Sequence, residues 1–69
     1  MFIKVRKAIY SIDVGQKDKY ALININEISL VYKPLADNVV IEMNNKERLK
    51  VYETVDEIHR KIIEQLNKR

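Results

Sequence analysis

Apolar and polar residues alternate with a period of two through most of this chain and switch to a helical period near its C-terminus. From Phe2 to Tyr10, Ile3, Val5 and Ile9 fall on one side and Lys4, Arg6 and Ala8 on the other. Period-two alternation with β-branched residues predicts a strand. Lys7 interrupts the apolar side, which predicts a bulge or a strand end there. The segment 13–19 is polar and carries Gly15, the one glycine, so it predicts a turn. Tyr20 to Ile25 predicts a second strand in a hairpin with the first. Asn24 to Ile28 reads as a corner, because asparagine side chains bond nearby backbone and tolerate chain reversal. A third strand, Ser29 to Lys33, must stop before Pro34, which cannot donate to a ladder.

The last third of the chain gives the clearest pattern. Val39 to Met43 and Arg48 to Tyr52 flank Asn44-Asn45-Lys46-Glu47 and predict a hairpin, with Val39, Ile41 and Met43 on the same side as Leu49 and Val51. Thr54 then stands three residues before Glu57, the spacing at which each side chain satisfies the other residue's orphan amide at a helix start. Val55, Ile58, Ile62, Ile63 and Leu66 form an apolar stripe at helical spacing. Asp56–Arg60, Glu57–Lys61 and Glu64–Lys68 are acid-first i,i+4 pairs. Acids at the start and bases at the end match the helix dipole.

The expected fold is α+β: a small antiparallel five-stranded sheet, a β-meander, with one C-terminal helix packed on one face. The connections are too short for parallel crossovers. The helix stripe should cover Ile3, Val5, Ile23, Ile41, Leu49 and Val51, leaving the other sheet face open. The unpaired edge of the long first strand offers a route to a homodimer.

Length confines this to one domain, 1–69, near the lower limit for folding without a staple. There is no cysteine, hence no disulfide framework and no thiolate metal site. A hydrophobic content of 46% with a single proline argues against a disordered chain. No apolar run approaches the ~20 residues of a membrane helix, and the N-terminus alternates apolar and basic residues, unlike a signal peptide. The expectation is a soluble cytoplasmic protein with no membrane role.

Several stretches resemble the FlbD-like family of small flagellar and swarming-motility proteins. They are Leu22-Ile23-Asn24 followed by Ile28 and Val31, then Val40 to Asn45, then Val51 to Ile58. The resemblance runs from about Asn24 to the C-terminus, with strand, hairpin, strand and capped helix in the family's order. Where the family usually has Asn-Gly at the hairpin, this chain has Asn45-Lys46, so a lysine must sit where glycine is easiest. The first hairpin is also longer than the family's. A weaker similarity, in strand and helix grammar, links the chain to the β-rich half of LytTR-type DNA-binding domains. The FlbD-like resemblance implies a non-enzymatic protein, because that family has no known catalytic residues.

The residues themselves agree that catalytic chemistry is sparse. His59 is the one histidine and has only Asp56 and Glu57 near it in sequence, a poor zinc set. It reads as a helix-edge residue. Ser11 and Ser29 have no base in a triad-like arrangement, Gly15 is no phosphate loop, and Asp13 with Asp18 is no EF-hand. No enzyme activity and no cofactor are expected.

What remains is surface. Lys4 and Arg6 share a side of the first strand, and Arg48, Lys50 and Tyr52 share a side of the fifth. If both sides lie opposite the helix, four cations and an aromatic ring line the open face, the minimum for sequence-tolerant single-strand binding. The competing reading is a solvated face, because exposed strands carry Lys and Arg for solubility and Glu42 falls on the same side. Tyr10, Tyr20, Tyr32 and Tyr52 can anchor a protein partner, although Tyr20 and Tyr32 read as core-edge packing. The expected function is a small binding or regulatory module, a protein-interaction adaptor of unnamed partner, with nucleic-acid binding as the alternative.

Overall fold

The computed structural model describes residues 1–8 and 20–68. The predicted turn at 13–19 and the continuation of the first strand to Tyr10 lie outside them. Five strands and one helix follow in the expected order: β1 (Phe2–Arg6), β2 (Tyr20–Asn24), a 3₁₀ turn (Ile25–Glu27), β3 (Ile28–Tyr32), β4 (Val39–Met43), β5 (Arg48–Val51) and α1 (Val55–Asn67). The fold is α+β, and every strand pair is antiparallel.

The single meander is corrected. The strands form two sheets, β1-β2 and β3-β4-β5. The break falls at the corner between β2 and β3. There the Asn24 side chain accepts from the Asn26 amide at 3.0 Å, capping a 3₁₀ turn that redirects the chain instead of folding it back. β1 ends at Arg6, and Lys7 makes an isolated bridge to Val51. Tyr52 donates its amide to the Arg6 carbonyl and Ala8 to the Lys50 carbonyl, each at 2.9 Å. The end of β5 therefore seams the two sheets together beside β1.

One core serves both sheets. Ile3, Val5 and Ile23 meet Val39, Ile41, Val51 and Ile58, with Ala21, Leu49 and Ile62 packed around them. Alternation thus assigns the core side correctly in β1, β4 and β5. The helix starts as the sequence predicts: the Thr54 hydroxyl accepts from the Glu57 amide at 3.0 Å, and the Glu57 carboxylate accepts from the Thr54 amide at 3.4 Å. Its stripe is only half used. Ile58 is 1% exposed, whereas Leu66 is 55% exposed and Val55 and Ile63 are also open. Asp56 and Glu57 occupy the first turn, but no base lies in the last turn, so the dipole is matched at the N-terminus alone. Of the expected i,i+4 partners, Lys61 turns to Glu53 instead, at 3.6 Å.

The β4–β5 turn places Lys46 at φ 72°, the left-handed region favoured by glycine. The Lys46 amide reaches the Met43 carbonyl at 2.9 Å, and the Met43 amide reaches the Glu47 carbonyl at 2.8 Å, closing the loop. Lys46→Gly is expected to stabilise the fold by about 0.5–1 kcal/mol, the relief of that conformation less the added freedom of the unfolded chain. A urea titration checks it; a destabilised variant would show that the lysine side chain contributes more than the strain costs.

Candidate functional site: the outward face of the β1-β2 hairpin

Cross-strand register decides which residues look outward. Ile3 pairs with Ile23 and Val5 with Ala21, all on the core side. Phe2 pairs with Asn24, Lys4 with Leu22 and Arg6 with Tyr20, so these six side chains share the opposite face. Leu22 is 69% exposed, and Phe2 and Tyr20 are each more than half exposed. The Lys4 ammonium lies 4.6 Å from the centre of the Tyr20 ring, a cation–π contact. Tyr52 joins them at the seam, next to Arg6 and also more than half exposed. Tyr20 is therefore a surface residue, a correction of its expected core-edge place; Tyr32 is half-buried.

The five residues proposed from sequence divide into two groups. Lys4, Arg6 and Tyr52 lie together on this outward face. Arg48 and Lys50 lie on the outward side of β5 and have carboxylate partners. Arg48 Nε contacts Glu42 at 2.9 Å, directly across the β4–β5 ladder. Lys50 Nζ contacts Asp37 at 2.6 Å. The hydrogen bond to Glu42 raises the Arg48 pKa above its ordinary value. The hydrogen bond from Lys50, then that from the Asn38 amide, holds the Asp37 carboxyl below the ordinary carboxylate range. Opposite charges so placed weaken the field at β5. Among the described residues, no carboxylate forms an ion pair with Lys4 or Arg6.

Glu53 carries a role that residue type alone conceals. It is 4% exposed, and its two carboxylate oxygens accept from the Arg6 amide at 2.9 and 3.0 Å. Lys61 completes the latch by donating to the Lys4 carbonyl at 2.6 Å. The second edge of β1 is thus occupied by Glu53, Lys61 and Tyr52. Among the described residues, β1 therefore has no edge left free for a second copy at Lys4 and Arg6, contrary to the expectation for this strand. The available sequence signal is parity, since Leu49, Val51 and Glu53 continue one side of the strand inward.

A second surface feature is an open groove of about 240 Å³ between β3 and α1, lined by Val31, Val55, Ile58, His59 and Ile62. His59 is exposed at its rim. The lining is almost wholly apolar, without the converging polar groups that orient a small ligand. Among the described residues, no group of three His, Cys, Asp or Glu side chains is placed to hold a metal ion. No helix among them is long and apolar enough to cross a membrane.

Comparison of the chain with protein-family models, curated proteins and solved structures returned no match.

Proposed function

We propose that this chain is a small non-enzymatic binding module, a protein-interaction adaptor that docks its partner on the outward face of β1-β2. One observation carries the reading: Phe2, Tyr20 and Leu22 stand exposed on a sheet face that solvent alone would favour as polar. Tyrosine and arginine are the residue types that dominate binding energy at protein interfaces. Arg6 and Tyr52 adjoin the apolar centre and give it a basic, aromatic rim. Membership of the FlbD-like family and a cytoplasmic setting belong to this same reading, which requires no catalytic group.

A photo-crosslinking residue at Phe2, compared with one at Leu35, tests it in an extract of the source cell. Leu35 is fully exposed on the β3–β4 turn and is the control. Discrete protein adducts are expected from position 2, absent from position 35 and lost with Arg6→Glu. Equal adducts from both positions, or none from either, would reject this face as the docking surface.

Nucleic acid is the second reading, favoured by Lys4 and Arg6, which have no carboxylate partner among the described residues and stand among three exposed rings. Two phosphate contacts on a single strand give a slope of log K against log salt of about −1.4. Anisotropy of a labelled oligothymidylate at about 50 and 200 mM salt measures that slope. A slope near twice that value would return Arg48 and Lys50 to the site, and absence of binding would leave the protein partner.

A further inference from the structure

Among the described residues, β2 and β3 keep an outer edge once Glu53 and Lys61 have covered β1, and the two edges are managed differently. β3 carries an irregularity in its register between Ile28 and Leu30 and runs into Lys33 and Pro34. Irregularity, lysine and proline are devices that discourage edge pairing. β2 has a flanking lysine too, Lys19 before Tyr20, but no irregularity and no proline: Tyr20-Ala21-Leu22-Ile23-Asn24 is itself uncharged and paired in regular register with β1. The Ile25 amide donates to the Met1 carbonyl at 3.0 Å, which sets the phase of the β1–β2 ladder. In that phase Ala21 and Ile23 point their main-chain groups at β1, and Tyr20, Leu22 and Asn24 point theirs away.

We propose that the outer edge of β2 is a self-association site that takes β2 of a second copy, antiparallel, on a two-fold axis at Leu22. In this register Leu22 faces the second copy's Leu22 as a hydrogen-bonded pair, and Tyr20 faces Asn24 on both sides. The edge is self-complementary in shape of pairing and in charge. No charged residue lies on either β2, and Lys4 stands one strand further from the axis on each copy. The two Lys4 side chains are then three strand spacings apart, about 14 Å, beyond the screening length of about 10 Å at 0.1 M salt. The pair of hairpins becomes one four-stranded sheet, β1-β2-β2-β1, and the exposed faces described above merge across the axis. Leu22, more exposed than Phe2 or Tyr20 on that face, gains a neighbour. The pairing holds whatever the merged face binds. Five-residue edges bury less than the roughly 800 Å² per partner of a standard interface, so the dimer forms at high protein concentration.

The chain contains no cysteine, so single cysteines read this register directly. Opposed residues of a hydrogen-bonded pair have Cα atoms about 5.5 Å apart, inside the roughly 4.4–6.8 Å span of a disulfide. Leu22→Cys at sub-millimolar concentration in a glutathione redox buffer is expected to give mainly covalent dimer. Tyr20→Cys alone is expected to stay monomeric, because four residues of offset separate it from its own copy by about 13 Å. Tyr20→Cys mixed with Asn24→Cys is expected to link the two variants to each other. In urea these differences should vanish. Leu22→Lys without cysteine places two ammonium groups at the axis and is expected to abolish the wild-type dimer in sedimentation equilibrium, with the far-ultraviolet circular dichroism unchanged. The proposal is overturned if the wild type sediments as a monomer at every concentration, if Leu22→Cys links no faster than Leu35→Cys, or if Tyr20→Cys links to itself as readily as Leu22→Cys.

Discussion

Glu53→Ala is expected to destabilise the protein by about 3 kcal/mol, the scale for removing one partner from a buried, hydrogen-bonded charge pair. The Arg6 amide loses both of its acceptor oxygens, and Lys61 loses its nearest carboxylate. A domain of this size has about 3–5 kcal/mol in total, so the variant should keep about 2 kcal/mol or less and be only marginally folded at room temperature. Glu53→Gln keeps one carbonyl oxygen for the Arg6 amide and loses the charge, and about half the effect is expected. Urea denaturation followed by circular dichroism separates the two variants. Glu53→Ala costing less than 1 kcal/mol would mean that water satisfies this edge of β1 as well as the carboxylate does. Lys61→Met separates the contributions further: Lys61 is partly exposed and can meet water when unpaired, so its loss should cost less than that of Glu53.

Glu53 also marks where the sequence is legible and where it is not. Alternation and capping are local signals, and they place β4, the β4–β5 turn, β5 and the start of α1 within a residue or so. The seam between β1 and β5 depends on a side chain acting as a strand's next rung, 47 residues from the amide it satisfies. No local pattern encodes such a contact. The candidate face shows the same division. Lys4, Arg6 and Tyr52 follow from alternation, and Glu42 beside Arg48 follows from hairpin register. Asp37 lies in an irregular turn, so its pairing with Lys50 has no periodicity to reveal it. Phe2, Tyr20 and Leu22 are hidden for another reason. In Tyr20-Ala21-Leu22-Ile23 both sides of the strand are apolar, so the pattern does not say which side is buried. Only the pairing with Lys4 and Arg6 turns Leu22 and Tyr20 outward.

The helix makes a graded prediction along one stripe. Ile58→Ala should cost about 3 kcal/mol, since the side chain is fully buried against both sheets and leaves a cavity on truncation. Ile62, half-buried on the same side, should cost less. Leu66→Ala lies on the overhanging end, where the exposed side chain loses little contact and alanine is the better helix former. Its cost should be about 0.5 kcal/mol or less. The gradient distinguishes a helix anchored by its first two turns from one packed along its whole length. In hydrogen exchange the same gradient should appear as slow amides in the turn that holds Ile58 and Ile62 and fast ones beyond Gln65. If Leu66→Ala proves as costly as Ile58→Ala, the end of α1 is covered in solution, and the groove beside Val31 and His59 becomes a contact surface in its own right. If both are mild, the helix contributes little to the core, and the two sheets hold each other through Val39, Ile41 and Val51 alone. A steep fall from Ile58 to Leu66 would instead identify the short stretch around Ile58 as the part of α1 that joins β1-β2 to β3-β4-β5, with the Glu53–Lys61 latch at its base.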